Sequence, residues 1–112
     1  MDNKKDNQYY IKKIVTDLAF IIEHTSKLTQ NELENNEVLV DSVMFRLIQV
    51  SENSDKLTDN FKEGHADIPW RAMKGMRNRI VHEYGNVDLA VVYDTIKNDI
   101  PKLLCQLESI EE

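Results

Sequence analysis

Apolar positions recur along the chain at alternating intervals of three and four. Ile11, Ile14, Leu18, Ile21, Thr25 and Leu28 keep that interval and fall on one stripe of a helix, while Lys12, Lys13, Asp17 and Glu23 turn mostly to other faces. A first helix is expected after Tyr10, with the residues before it as a frayed polar lead-in. Thr29-Gln30-Asn31-Glu32 fits a capping box and predicts a short helical turn before the break at Asn35-Asn36. From Val40 the interval resumes through Val43, Leu47, Val50, Ser54, Leu57 and Phe61, which predicts a long second helix lying almost antiparallel to a neighbour. Met44 and Ile48 widen its apolar face enough for a second neighbour or a second subunit. Gly64 should end that helix by taking a positive φ. Pro69 suits a first helical turn, where its missing N–H costs little, so a third helix is expected from Pro69 to Tyr84 with Gly85 as its stop. Asn86 or Asp88 can cap a fourth, carrying Leu89, Val92, Ile96, Ile100, Leu103 and Leu107 inward, and Pro101 should kink it near Asn98 to Ile100.

Composition agrees with helices and little else. The 112 residues hold only three glycines and two prolines, too few turn residues for a multi-stranded sheet, and 41% hydrophobic residues are too many for disorder. The length suits one domain, residues 1–112, folded as an all-α, up-and-down bundle of four to five helices. No apolar run approaches the ~20 residues of a membrane span and the start is polar, so a cytoplasmic protein without membrane contact is expected. Cys105 is the single cysteine, and no Cys/His spacing resembles a zinc site, so no metal or other cofactor is expected; Cys105 reads as a small core or interface residue.

Charge narrows the chemistry. The net charge is −6, yet Arg71, Lys74, Arg77 and Arg79 occupy Ile68 to His82 with no acid among them. The other ten cations then face all 20 acids. Such a patch on an acidic body can hold one phosphate-bearing ligand while the whole field discourages indiscriminate nucleic-acid binding. A solvated basic helix face is the alternative reading.

Within that patch, Arg77-Asn78-Arg79-Ile80-Val81-His82-Glu83-Tyr84 gathers the reactive residue types. A histidine exchanges protons near neutral pH, and an arginine offers a fork of donors that fits a phosphate. His82 could deprotonate a ribose 2′-hydroxyl or protonate the leaving oxygen while Arg77 stabilises charge on phosphorus, a route to metal-independent RNA cleavage that DNA would survive. The same residues admit structural roles: His82 against the helix dipole, Arg77 paired with an acid, Tyr84 as a core aromatic. Geometry also intervenes. At ~100° per residue, Arg77 and His82 lie about 140° apart around a helix, whereas Asn78 shares a face with His82. Either a loosened last turn before Gly85 or a two-fold dimer with facing third helices would bring them together, and the dimer is the preferred solution.

The stretch from Ile68-Pro69-Trp70 through Gly75-Met76-Arg77-Asn78 to His82-Glu83-Tyr84, with Asn86-Val87-Asp88 and Asp99-Ile100-Pro101-Lys102-Leu103 after it, resembles the HepT-like branch of the HEPN superfamily. Its signature of an Arg, four residues, a His, one residue and a Tyr is met by Arg77, His82 and Tyr84, and the likeness runs from the first helix onward. The resemblance implies an all-α bundle that forms a homodimer through the motif helix, with the two motifs in one cleft. It implies a metal-independent ribonuclease toxin of a toxin–antitoxin pair: Arg77 and His82 catalytic, Asn78 orienting, and Arg71, Lys74 and Arg79 on the RNA backbone. The partner implied is a minimal nucleotidyltransferase antitoxin that adds AMP to Tyr84, placing a base and a charged phosphate where RNA would bind. Many relatives have Gly-Glu-Ala where this chain has Ser51-Glu52-Asn53, and Glu52 is expected to be a buried partner for Arg46 or for Arg77. Two other readings stand beside this one: a non-catalytic helical dimer that holds a nucleotide or partner protein in the basic cleft, and a chain that serves chiefly as a substrate of its modifying partner.

Overall fold

The computed structural model describes residues 5–110, and every described element is helical. Helix α1 (Asn7–Thr25) begins inside the expected lead-in, because the Asp6 side chain accepts from the Tyr9 amide and supplies an N-cap that the apolar stripe did not reveal. The start of that lead-in, residues 1–4, lies outside the described residues. Ile11, Ile14, Leu18 and Ile21 are fully buried, as their spacing requires. Leu28 lies past the end of α1, half-buried in the following turn, where its amide donates to the Thr25 carbonyl. The capping box forms at Thr29 and Glu32 and starts the single-turn helix α2 (Gln30–Glu34), whose Leu33 plugs into the core.

The second long helix is shorter than its stripe. Helix α3 runs Glu37–Ser54, capped by Asn36, and Phe61 belongs to a separate turn, α4 (Asp59–Glu63). Leu57 is buried all the same, from a turn in which its amide donates to the Ser54 carbonyl, so the periodicity marked a buried face and not one continuous helix. Thr58 breaks the run by capping α4 and by exchanging two hydrogen bonds with the Asn7 side chain. Gly64 does not take a positive φ; it closes α4 in right-handed conformation at φ −71°, and Gly85 alone among the glycines has φ > 0.

Helix α5 spans Trp70–His82, so Pro69 stands at the N-cap instead of within the first turn, and Tyr84 falls in the turn beyond. Trp70 substitutes for a side-chain cap by donating its indole N–H to the Lys62 and His65 carbonyls, which ties the α4 end to the start of α5. The fourth stretch opens at the Asp88 cap as α6 (Leu89–Asp94) and ends as α7 (Ile100–Glu108). Between them, Thr95–Asp99 form a π-helical turn that closes with Ile100 N–H donating to the Thr95 carbonyl. Pro101 has no N–H to give its preceding turn, and the wider turn absorbs that deficit just upstream of it.

Pairings between helices fix their directions. Arg46 meets Asp17 and Thr58 meets Asn7, so α1 and α3 run antiparallel. Lys74 meets Asp55 and Tyr84 meets Asp41, so α3 and α5 do too. Tyr93 and Lys97 bind carbonyls at the end of α1, Leu28 and Thr25, which sends α7 back along α1. The result is the expected up-and-down bundle, with α1 central and α5 at the edge. Two residues of α5, Met73 and Ile80, are buried. No helix among the described residues is long and apolar enough to cross a membrane. Cys105 is exposed and therefore not a core residue.

Candidate functional site

The motif helix rests chiefly on α3, and polar contacts pin it there. Arg77 donates through Nε and its NH2 nitrogen to one Glu52 oxygen, at 3.0 and 2.9 Å, and through NH1 to the Asn78 side-chain oxygen at 3.1 Å. Asn78 thus orients the guanidinium in the ground state. The Arg77 and Glu52 side chains are 34% and 42% exposed, so Glu52 is the partner of Arg77 but not a buried one. Ser51 and Asn53 beside it are buried, so the Ser-Glu-Asn triplet of α3 leaves its middle residue partly exposed, where it meets Arg77. Arg46 belongs elsewhere: it binds Asp17 at 2.7 Å and lies 3.9 Å above the Phe20 ring, in the seam between α1 and α3.

The helix is intact through His82, where the Glu83 amide donates to the Arg79 carbonyl at 3.0 Å. A loosened last turn is thereby excluded, and Arg77 and His82 keep their separation of about 140° around the axis. His82 is exposed and has no hydrogen-bonding partner among the described residues. Arg71, Gly75, Asn78 and His82 follow one another at intervals of four and three, so they form one solvent-facing line along α5. Arg79 points the other way. It lines a groove of about 580 Å³ between α5 and the α6–α7 stretch, with Met73, Met76, Ile100 and Lys102, so it does not share a surface with Arg77. Lys74 approaches Asp55 at 3.9 Å with both side chains largely exposed, a contact that leaves it available.

Tyr84 stands just past the helix, held by the positive φ of Gly85, and is 48% exposed instead of core. Its hydroxyl donates to Asp41 at 2.8 Å. That hydrogen bond, with some desolvation and the charge of the same carboxylate, raises the phenol above its ordinary pKa. Sequence reasoning missed Asp41, because a single acid separated from its tyrosine by 43 positions leaves no pattern to find. Around these groups, Val38 and Phe45 on α3 and Val81 on α5 are exposed. Among the described residues no three His, Cys, Asp or Glu side chains converge as metal ligands would.

Known proteins are similar to this chain in sequence. The sequence model of the family described as "Ribonuclease HepT-like" matches residues 14–110. A Thermococcus cleftensis protein named "Probable ribonuclease HepT" is 29% identical over 97% of this chain and 99% of its own length. Proteins of Methanocaldococcus jannaschii (28% identical; 96% of this chain, 99% of its own) and Caldanaerobacter subterraneus (29%; 90% of each) have names that designate them provisionally as RNases. No solved structure gives a significant match. With the family match covering residues 14–110 of 112, on an all-α bundle, the chain belongs to the HepT-like family.

Proposed function

We propose that this protein is a metal-independent endoribonuclease, the toxin of a cytoplasmic toxin–antitoxin pair, which cuts RNA in a cleft formed by two copies of α5. The observation that carries the proposal is the separation of the motif: Arg77, half-buried against Glu52, and His82, exposed, stand on an intact helix about 140° apart, so a single copy cannot aim both at one phosphate. A two-fold axis beside α5 supplies each motif with the other's missing half. The exposed apolar side chains Phe45 and Val81 suit that contact. Family membership and the names of the relatives support RNA as the substrate.

In this cleft His82 serves as the proton donor or acceptor at the 2′-hydroxyl and leaving oxygen, and Arg77 binds the non-bridging phosphate oxygens. Asn78 and Glu52 hold the Arg77 guanidinium in plane until RNA arrives. Arg71 and Lys74 extend the backbone contact beyond the cut. Arg79, on the far side of α5, binds RNA only if the strand wraps the helix edge. Silencing follows from AMP added to Tyr84 by a nucleotidyltransferase antitoxin, because the added phosphate and base crowd the same surface.

The test is cleavage of a mixed cellular RNA pool in excess EDTA by unmodified protein and by His82→Ala, with mass measured by sedimentation. Fragments from the wild-type dimer alone are expected. Cleavage retained by His82→Ala refutes the role of His82, and no cleavage by either protein transfers the basic face to the non-catalytic binding reading.

A further inference from the structure

We propose that Asp41 is the general base that activates the Tyr84 hydroxyl for attack on phosphorus, so that this chain brings a prepared nucleophile to its own modification. The inference rests on the reading of Tyr84 as the acceptor of an adenylate. Its evidence is the contact between α3 and the turn after α5: the Tyr84 Oη–H donates to the Asp41 carboxylate at 2.8 Å, with both side chains at the surface. The other tyrosines lack such a partner. Tyr93 donates to the Leu28 carbonyl, which cannot take a proton, and Tyr9 and Tyr10 lie beneath lysines: Lys13 is 5.7 Å from the Tyr9 ring and Lys56 5.8 Å from that of Tyr10. Among the described residues the Asp41 side chain has no ion-pair partner and caps no helix, since Asn36 caps α3, and its one hydrogen bond there comes from the phenol.

The reaction balances within this pair and a nucleoside triphosphate. Tyr84 Oη forms a bond to the α-phosphorus as the bond from that phosphorus to the bridging oxygen breaks. Pyrophosphate leaves, and the phenolic proton passes along the existing hydrogen bond to the Asp41 carboxylate and then to water. Because the proton already points at Asp41, the free lone pairs of Oη face solvent, where a phosphorus electrophile arrives. The positive φ at Gly85 turns the chain sharply after Tyr84.

Base assistance and simple ionisation predict opposite signs, which makes the inference testable without any partner. Asp41 raises the phenol's pKa, so Asp41→Asn increases the fraction of phenolate at neutral pH. Were phenolate alone the nucleophile, that variant would react faster. With Asp41 as base it reacts slower, by a factor of about ten or more at pH 7. The probe is diisopropyl phosphorofluoridate, a phosphorus electrophile that loses fluoride, and labelling of each tyrosine is followed by peptide mass mapping. Tyr9 is the internal control, and its rate should match in the two proteins if both are folded. Slower labelling of Tyr84 in Asp41→Asn with Tyr9 unchanged supports the assignment; equal or faster labelling overturns it. A second arm adds a minimal nucleotidyltransferase and ATP. Should AMP never reach Tyr84 while the fluoridate still shows the Asp41 effect, the modification reading fails and the activated tyrosine stands.

Discussion

Gly75 offers the sharpest test of how α5 is used. It sits mid-helix in ordinary helical conformation, and a Cβ built on it meets nothing within 4 Å. A glycine there costs about 0.5–1 kcal/mol relative to alanine, from backbone entropy alone. Nothing inside the chain requires that cost, so Gly75→Ala should stabilise the monomer by the same amount. At ~2.1 cal/mol/K of unfolding entropy per residue, a chain of 112 residues gains roughly 4 °C per kcal/mol, so the expected rise in Tm is about 2–4 °C. Calorimetry across a protein dilution series, with sedimentation to identify the monomer, measures it. A monomer Tm that is unchanged or lower refutes the assignment of Gly75 to an open helical face. The dimer should respond in the opposite sense. Gly75 lies between Arg71 and Asn78 on the line that leads to His82, where the proposed second α5 comes closest, so an added methyl should weaken self-association and Gly75→Leu should weaken it further. Unaltered self-association and cleavage in both variants would move the contact to another face of α5.

Other consequences follow from particular contacts. Ile80 is fully buried and anchors α5, so Ile80→Ala should cost about 2–5 kcal/mol in urea unfolding, and a loss under 1 kcal/mol would show that α5 is held chiefly by its polar contacts. Glu52→Gln removes the charged partner of Arg77 at a site exposed enough that stability should change by less than ~1 kcal/mol. Because RNA is proposed to displace Glu52 from Arg77, KM for cleavage should fall, by up to about fivefold for a pair worth ~1 kcal/mol, with kcat little changed, and a raised KM refutes the competition. Absorbance titration of Tyr84 should shift down toward the ordinary value of ~10 in Asp41→Asn. The sign for stability is fixed by the same raised phenol: its contribution is complete below the unfolded pKa and disappears as pH climbs through the folded one, so the two proteins should differ in pH dependence only on the alkaline side.

The bundle was legible because burial follows helical spacing closely. Every residue of the first stripe from Ile11 to Thr25 is buried, as are Val43, Leu47 and Val50, and Val92, Ile96, Ile100, Leu103 and Leu107. What the spacing could not disclose were the places where a backbone changes course while its side chains still point inward. Leu57 keeps the interval after α3 has ended, and Ile96 keeps it inside a π-helical turn. Caps were visible where they formed a reciprocal box, at Thr29 and Glu32, and less so where Asp6 acted alone in a polar stretch. The motif residues were legible as a string, and Glu52 as a partner for Arg77 through the family resemblance, though its exposure was not; Asp41 and Asp55 were not legible, since they come from α3 and its C-cap and carry no signature of their own.

Those three acids also bear on the conflict between the phosphate-binding role proposed for α5 and an acidic protein. α3 and its C-cap present Asp41, Glu52 and Asp55 along one edge, opposite Tyr84, Arg77 and Lys74, so part of the protein's negative charge is spent against the motif helix and the turn after it. The pairings fix α5, which has few buried residues to do so, in a defined antiparallel register. On the proposed reading they also weaken the pull of the site on passing polyanions, because the charge of Arg77 is already shared with a carboxylate. An exposed pair contributes about 0–1 kcal/mol, whereas an arginine fork on a phosphate gains two charge-assisted hydrogen bonds. A correctly placed phosphate therefore displaces Glu52 at small cost, while loose contacts with the surface gain nothing over the carboxylate already there. On the proposed reading Arg71 and His82, which form no ion pair among the described residues, make the first contact with RNA and act once Arg77 has changed partner.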